Sequence, residues 1–179
     1  MTTARKLRIA ILLLILVCTV GCDQTTKHVA RANLNRFDSI TLFHGLGELR
    51  LAENPGAFLN LGAALPSSVR TVVFTLGVGA GLVGLCGYLA GRTRLNRLAF
   101  AGLALIVAGG MSNFIDRIAR DGLVTDFIML RFGPFHTGIF NMADLAVMIG
   151  MGLLAFALWK QRRSTAAKSQ PQLDVWLRE

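Results

Sequence analysis

Charged residues are scarce in this chain. They make up 16% of its 179 residues, against 53% hydrophobic residues and a mean hydropathy of +0.54. A soluble domain carries about 25% charged residues, so the composition points to a membrane protein. The length is that of one domain, read as a single unit over residues 1–179. Cysteine is rare as well. Cys18, Cys22 and Cys86 sit in apolar segments, which excludes a disulfide framework and leaves them as small buried hydrophobes. His28, His44 and His136 are scattered, with no HxxxH or CxxC spacing, so neither a metal site nor a cofactor is expected. No Ser or Cys stands beside a base in a way that would make it a covalent nucleophile.

What is abundant is long apolar runs. They cover Ile9 to Cys22, Thr71 to Ala90, Leu98 to about Ile115, and Ile139 to Trp159. At ~1.5 Å per residue the last spans ~30 Å as a helix, the thickness of a hydrocarbon core. The first is preceded by Arg5-Lys6-Leu7-Arg8 and ends Thr19-Val20-Gly21-Cys22, close to the box before a lipid-modified cysteine. Thr19 stands where such boxes hold a bulky aliphatic residue, and further spans follow. An uncleaved span running on through Asp23-Gln24-Thr25-Thr26-Lys27 is therefore preferred to a cleaved leader. Asp23 and Lys27, four apart, share a face.

Between the spans the chain turns polar. From Asn33 to Ser68, Ile40 and Leu42 alternate, as do Leu49-Arg50-Leu51, and Gly45, Gly47, Pro55, Gly56 and Gly62 interrupt. That pattern predicts a small extracytoplasmic β layer resting on the bundle or the membrane. Gly77 and Gly81, and Gly87 and Gly91, have the spacing that lets helices approach closely. Val124-Thr125-Asp126-Phe127-Ile128 reads as a polar segment that puts Asp126 on a strand or loop just outside the membrane, and residues 160–179 as a basic, poorly ordered tail.

The fold expected is an all-α membrane protein: four transmembrane helices, a small β layer and a short surface helix. Four spans put both termini on one side. The N-terminus, the loop at 92–97 and the tail hold eleven Lys/Arg and two acids; the other side holds eight of each. The whole excess of +9 lies on one face, as the positive-inside rule expects of the cytoplasm, and needs no nucleic acid to explain it. Nothing calls for an oligomer, so a monomer is expected.

Polar residues gather on the opposite side. Asp23, Asn54, Asn113, Arg117, Asp126, Asn141 and Asp144 all fall at or outside that face. Alone, each has a structural explanation: an Asn caps helices, and Asp126 would serve as a turn residue. Asp144 is harder to explain so, because an ionised carboxylate inside an apolar span is costly and faces a partner or a water-filled cavity. Asp126 is the partner expected. Two carboxylates ~3 Å apart cannot both ionise, so the pair shares a proton. The ionised member takes a proton from water and the protonated one donates to a carbonyl oxygen, which suffices for peptide hydrolysis. Arg117 must then be kept from neutralising the acids, and is expected to tie down Asp116 or a loop, or to meet a substrate carbonyl.

Five motifs carry a family resemblance: Asp23-Gln24 through Lys27; Glu53-Asn54-Pro55-Gly56-Ala57-Phe58; Gly109-Gly110 through Asn113, then Asp116-Arg117; Val124-Thr125-Asp126-Phe127; and Phe140-Asn141-Met142-Ala143-Asp144. In this order, on four spans, the chain resembles a bacterial lipoprotein signal peptidase, or signal peptidase II. The resemblance implies an aspartic endopeptidase of the inner membrane with Asp126 and Asp144 as its catalytic pair. Asn54, Asn113, Arg117 and Asn141 would line the site, with Asp23 in support. It implies substrates that are prolipoproteins bearing a diacylglyceryl cysteine, cut on the amino side of that cysteine beside membrane lipid. Met111-Ser112 and Thr125 depart from the commoner family residues and are expected to lie off the two aspartates. The segment Arg131 to Gly138 is individual, and the Asn54 segment is expected to close over the site. The competing classes are a small transporter using Asp144 in a proton relay, for which no inverted repeat is seen, and a structural membrane protein whose polar residues only pin helices.

Overall fold

The computed structural model describes residues 3–35, 37–56, 61–92 and 95–169. Ala57, Phe58, Arg94 and residues 170–179 of the expected tail lie outside the described residues. Among the described residues, four helices are long and apolar enough to cross a membrane: α1 (Thr3–Asn33), α2 (Ser67–Gly91), α3 (Arg97–Ala119) and α4 (Met142–Ser169). Their outer faces are apolar and open, with Val17 70% and Val83 71% exposed, as lipid-facing surfaces should be. Two expectations change at α4. The helix begins at Met142 rather than Ile139, and it runs on to Ser169, so residues 160–169 of the expected irregular tail are helical.

The polar segments form one antiparallel sheet in the order β1 (Ile40–Leu42), β2 (Gly47–Asn54), β3 (Val124–Phe132), β4 (Phe135–His136). Of the strand or loop expected at Asp126, the structure has the strand, β3. Six of its nine residues pair with β2, 70 or more positions earlier, a partner no local pattern reveals. Ala52 lies opposite Asp126 and Asn54 opposite Val124, past an irregularity between Leu49 and Ala52. Alternation puts Asn54 and Asp126 on the same face. Phe127 packs with Ala30 and Leu34 of the α1 end, and with Leu49, Leu51 and Met142 around them, so the sheet is seated on the bundle. Outside the spans the described residues hold one short helical turn, Phe43–Gly45.

α3 is the centre of the bundle: 44% of its apolar window is buried, against 11% in α1 and α2. The close approach that glycine permits is made here, between α3 and α4. A Cβ on Gly102 would lie 2.7 Å from the Gly150 carbonyl oxygen, and one on Gly109 would collide with the Ala143 carbonyl. The expected pairs do not serve this purpose. A Cβ added at Gly81, Gly87 or Gly91 would meet nothing within 4 Å, and one at Gly77 would meet only its own helix. The i,i+4 spacing marks candidates, but the residue across the interface decides which are used.

Candidate active site

The site begins with the way α4 starts. Asn141 Oδ1 accepts the Asp144 N–H at 2.9 Å, and Asp144 Oδ2 accepts the Asn141 N–H at 3.1 Å. This is a capping box, in which two residues three apart satisfy each other's free backbone donors. Asp23 Oδ1 accepts the Ala143 N–H at 2.8 Å and completes the cap from α1. Asp144 is thus the third residue of its helix, in the first turn. Its remaining oxygen, Oδ1, accepts from Asn113 Nδ2 of α3 at 2.9 Å.

β3 brings Asp126 to the same place. The Phe127 and Ile128 N–H groups both donate to the Phe140 carbonyl, at 3.0 and 2.9 Å, so the strand is stitched to the residue just before the cap. The Thr125 N–H donates to Asp116 Oδ2 at 3.1 Å and fastens the strand to α3. Asp126 is 2% exposed, and each of its oxygens accepts an amide: Oδ1 from Asn141 Nδ2 at 2.7 Å, Oδ2 from Asn54 Nδ2 at 2.8 Å. Asn141 therefore touches both aspartates. Burial pushes the Asp126 carboxyl up from 3.8 to about 7, and the Asp144 charge pushes the same way; Asn54, Asn141 and Lys27 pull back.

Arg117 stands one turn along α3 from Asn113. Its guanidinium donates to the Gly56 carbonyl at 2.7 Å and to the Asn113 carbonyl at 3.2 Å. Among the described residues it forms no ion pair with either aspartate. It ties down the turn that follows Asn54, where Asn54 Oδ1 accepts the Gly56 N–H at 2.8 Å. Among the described residues no group of three or more His, Cys, Asp or Glu is arranged to hold a metal ion.

Residues 15–160 match the family model described as signal peptidase (SPase) II. A lipoprotein signal peptidase of Desulforapulum autotrophicum is 36% identical over 150 residues, spanning 82% of this chain and 91% of that protein. The chain belongs to the signal peptidase II family. Lipoprotein signal peptidases of Solibacter usitatus and Streptococcus thermophilus are each 32% identical, over 80% and 90% of this chain and 87% and 98% of theirs. Two solved structures described as a bacterial membrane enzyme superpose with TM-scores of 0.76 and 0.73, at 27% and 28% identity. They cover 92% and 84% of this chain, and it covers 95% and 93% of theirs. Membership makes the chain a multi-pass membrane protease whose family processes prolipoprotein signal peptides.

In this signal peptidase II chain, Asn54, Asn113, Asp126, Asn141 and Asp144 form one hydrogen-bonded set, with Arg117 bracing it and Asp23 reaching it through the α4 cap. Beneath this set lies a buried group in which the sequence assigns a site role to Asp23 alone. Lys27, 0% exposed, lies 2.7 Å from Asp23 and 3.0 Å from Asp116, and donates to Asn113 Oδ1 at 2.8 Å. Gln24 Nε2 donates to Asp116 Oδ1, at 3.0 Å. Ser112 touches neither Asp126 nor Asp144 in a hydrogen bond among the described residues, but it donates to Asp23 Oδ2 at 2.7 Å, so this departure from the commoner family residue belongs to the group beneath the site. The available signal was a lysine and an aspartate one turn apart at the end of an apolar span, where an unpaired charge is costly.

Proposed function

We propose that the chain is an aspartic endopeptidase that removes the signal peptide of a prolipoprotein, cutting on the amino side of its diacylglyceryl-modified cysteine. The observation that carries this reading is Asn141, one residue that donates to both Asp126 and Asp144. Two carboxylates held by a common residue, with no metal required, suit water activation. Asp126 holds the proton and Asp144 acts as base. Asp144 takes a proton from water while the water oxygen bonds to the scissile carbonyl carbon, and Asp126 gives its proton to the carbonyl oxygen. The gem-diol then collapses. The proton on Asp144 passes to the amide nitrogen, the C–N bond breaks, and a diol proton returns to Asp126. The products are the signal peptide carboxylate and the free amine of the modified cysteine.

Family membership and the four spans support a substrate held in the bilayer. All the site residues come from one chain, so a monomer is sufficient. The one-sided excess of Lys and Arg supports cytoplasmic termini and a site at the opposite face. The direct test supplies a prolipoprotein in detergent with and without the diacylglyceryl group. Mass spectrometry is expected to find the modified cysteine at the new N-terminus and little product from the unmodified form. Cleavage at another bond, or equal rates for the two forms, would overturn the assignment.

The raised Asp126 value gives a pH dependence. Asp126 holds its proton more tightly folded than unfolded, so its contribution to stability is greatest below about pH 4 and declines as pH rises through about 7. Activity needs the same proton. The rate should be bell-shaped, with its alkaline limb centred near pH 7, the pair titrating as a unit. A rate that stays flat from pH 6 to 9 would remove Asp126 from the acid role.

A further inference from the structure

An asparagine side chain has nearly the same shape either way round but opposite polarity, so whatever fixes its orientation fixes what it offers its neighbours. Asn113 lies between Lys27 and Asp144. The Lys27 ammonium has only hydrogens to give, so the Asn113 atom facing it at 2.8 Å is oxygen. The amino end is thereby left facing Asp144 Oδ1 at 2.9 Å. The same Asn113 oxygen accepts Asn141 Nδ2 at 3.1 Å. That sets the second amide: its amino group also reaches Asp126 Oδ1, and its oxygen takes the Asp144 N–H. All three Lys27 hydrogens are used, on Asp23, Asp116 and Asn113.

We propose that Lys27 is a positioning residue of the proteolytic site: clamped by Asp23 and Asp116, its ammonium sets the polarity of the Asn113 amide and, through it, of Asn141, so that both aspartates meet N–H donors. This rests on the two-aspartate reading above. Without the cation, Asn113 is free to turn its oxygen toward Asp144, and the carboxylate loses a donor and gains a repulsive neighbour. Lys27 itself touches neither aspartate in any hydrogen bond among the described residues.

The test must spare the buried charges. Lys27→Met alone strands two carboxylates, so it is combined with Asp23→Asn. The cluster then goes from two carboxylates and one ammonium to one carboxylate, the same net charge of −1, and the Asp23→Asn side chain keeps an oxygen for the Ala143 N–H. The full-length K27M/D23N protein is expected to lose ~10²-fold in kcat with KM changed less than about threefold, the scale of a misaligned site. Asn113→Ala should cost a similar factor. In the N113A background K27M/D23N should then have almost no further effect, because the pathway it acts through is gone. Losses that multiply, or K27M/D23N cleaving at the wild-type rate, would overturn the proposal. If thermal unfolding finds K27M/D23N unfolded, Lys27→Arg, which keeps the cation, enters the same cycle: a modest loss that disappears in N113A supports the proposal, one that persists overturns it. Asp126→Asn is assayed alongside. Normal cleavage by D126N would remove the two-aspartate reading itself, whereas a dead D126N with a multiplicative cycle removes only the role of Lys27.

Discussion

Replacing Asp144 with Asn should lower kcat for a lipid-modified prolipoprotein by ~10³–10⁴-fold, with Asp126→Asn equally severe, the upper range for a group that moves a proton in the transition state. The change keeps the shape of the side chain. It also keeps an oxygen for one donor, so the fold should survive: at Asp144 the new amino group faces either Asn113 or the Asn141 N–H, a mismatch of about 1–3 kcal/mol. Activity is lost for a different reason. An amide can neither accept a proton from water nor return one to the departing amine. Circular dichroism and thermal unfolding would establish that the variants fold, and product formation would be followed under single-turnover conditions. An Asp144→Asn protein that cleaves within about tenfold of wild type ends the two-aspartate mechanism. It would then favour a purely structural reading, in which the carboxylate only caps α4.

Gly150→Leu should be the most damaging change outside the site. A Cβ there would lie 2.6 Å from the Gly102 carbonyl oxygen, 2.9 Å from Ile106 Cγ1 and 3.0 Å from the Ile106 nitrogen. Two of these are backbone atoms that no rotamer change can clear, so α3 and α4 must separate. Overpacking of this kind costs about 3 kcal/mol or more. For a chain of this size that is a fall in Tm of roughly 6–12 °C. Because Asn113 rides on α3 and Asp144 on α4, activity should fall too. Gly81→Leu is the matched control. It adds the same side chain where nothing lies within 4 Å, and should move Tm by no more than ~2 °C in detergent. Equal damage from the two would mean that the α3–α4 contact is not the tight one.

How much of this could be read from residue order follows from how local each signal is. The four spans were readable because hydrophobic length is a property of a single segment. Asp144 stood out because a carboxylate is out of place within an apolar run, and Asp126 entered as its expected partner and through the family motifs. Strand and loop could not be told apart around Asp126 because a strand is defined by a partner, and β2 lies far away along the chain. Lys27 and Asp23 share a face in the sequence, but Asp116 and Asn113, which complete the cluster, come from another helix. The glycines that matter were misjudged on the same grounds: Gly102 and Gly150 bear on each other across an interface, while the evenly spaced glycines of α2 face open space.

The reciprocal bonds between Asn141 and Asp144 carry one last implication. The contacts that start α4 are the same two that hold the carboxylate proposed as the base. Lengthening the acid to glutamate would therefore disturb where α4 begins as well as where the proposed base is held. Such a position has little freedom to drift by small steps, since the intermediate would be both a poorer catalyst and a frayed helix.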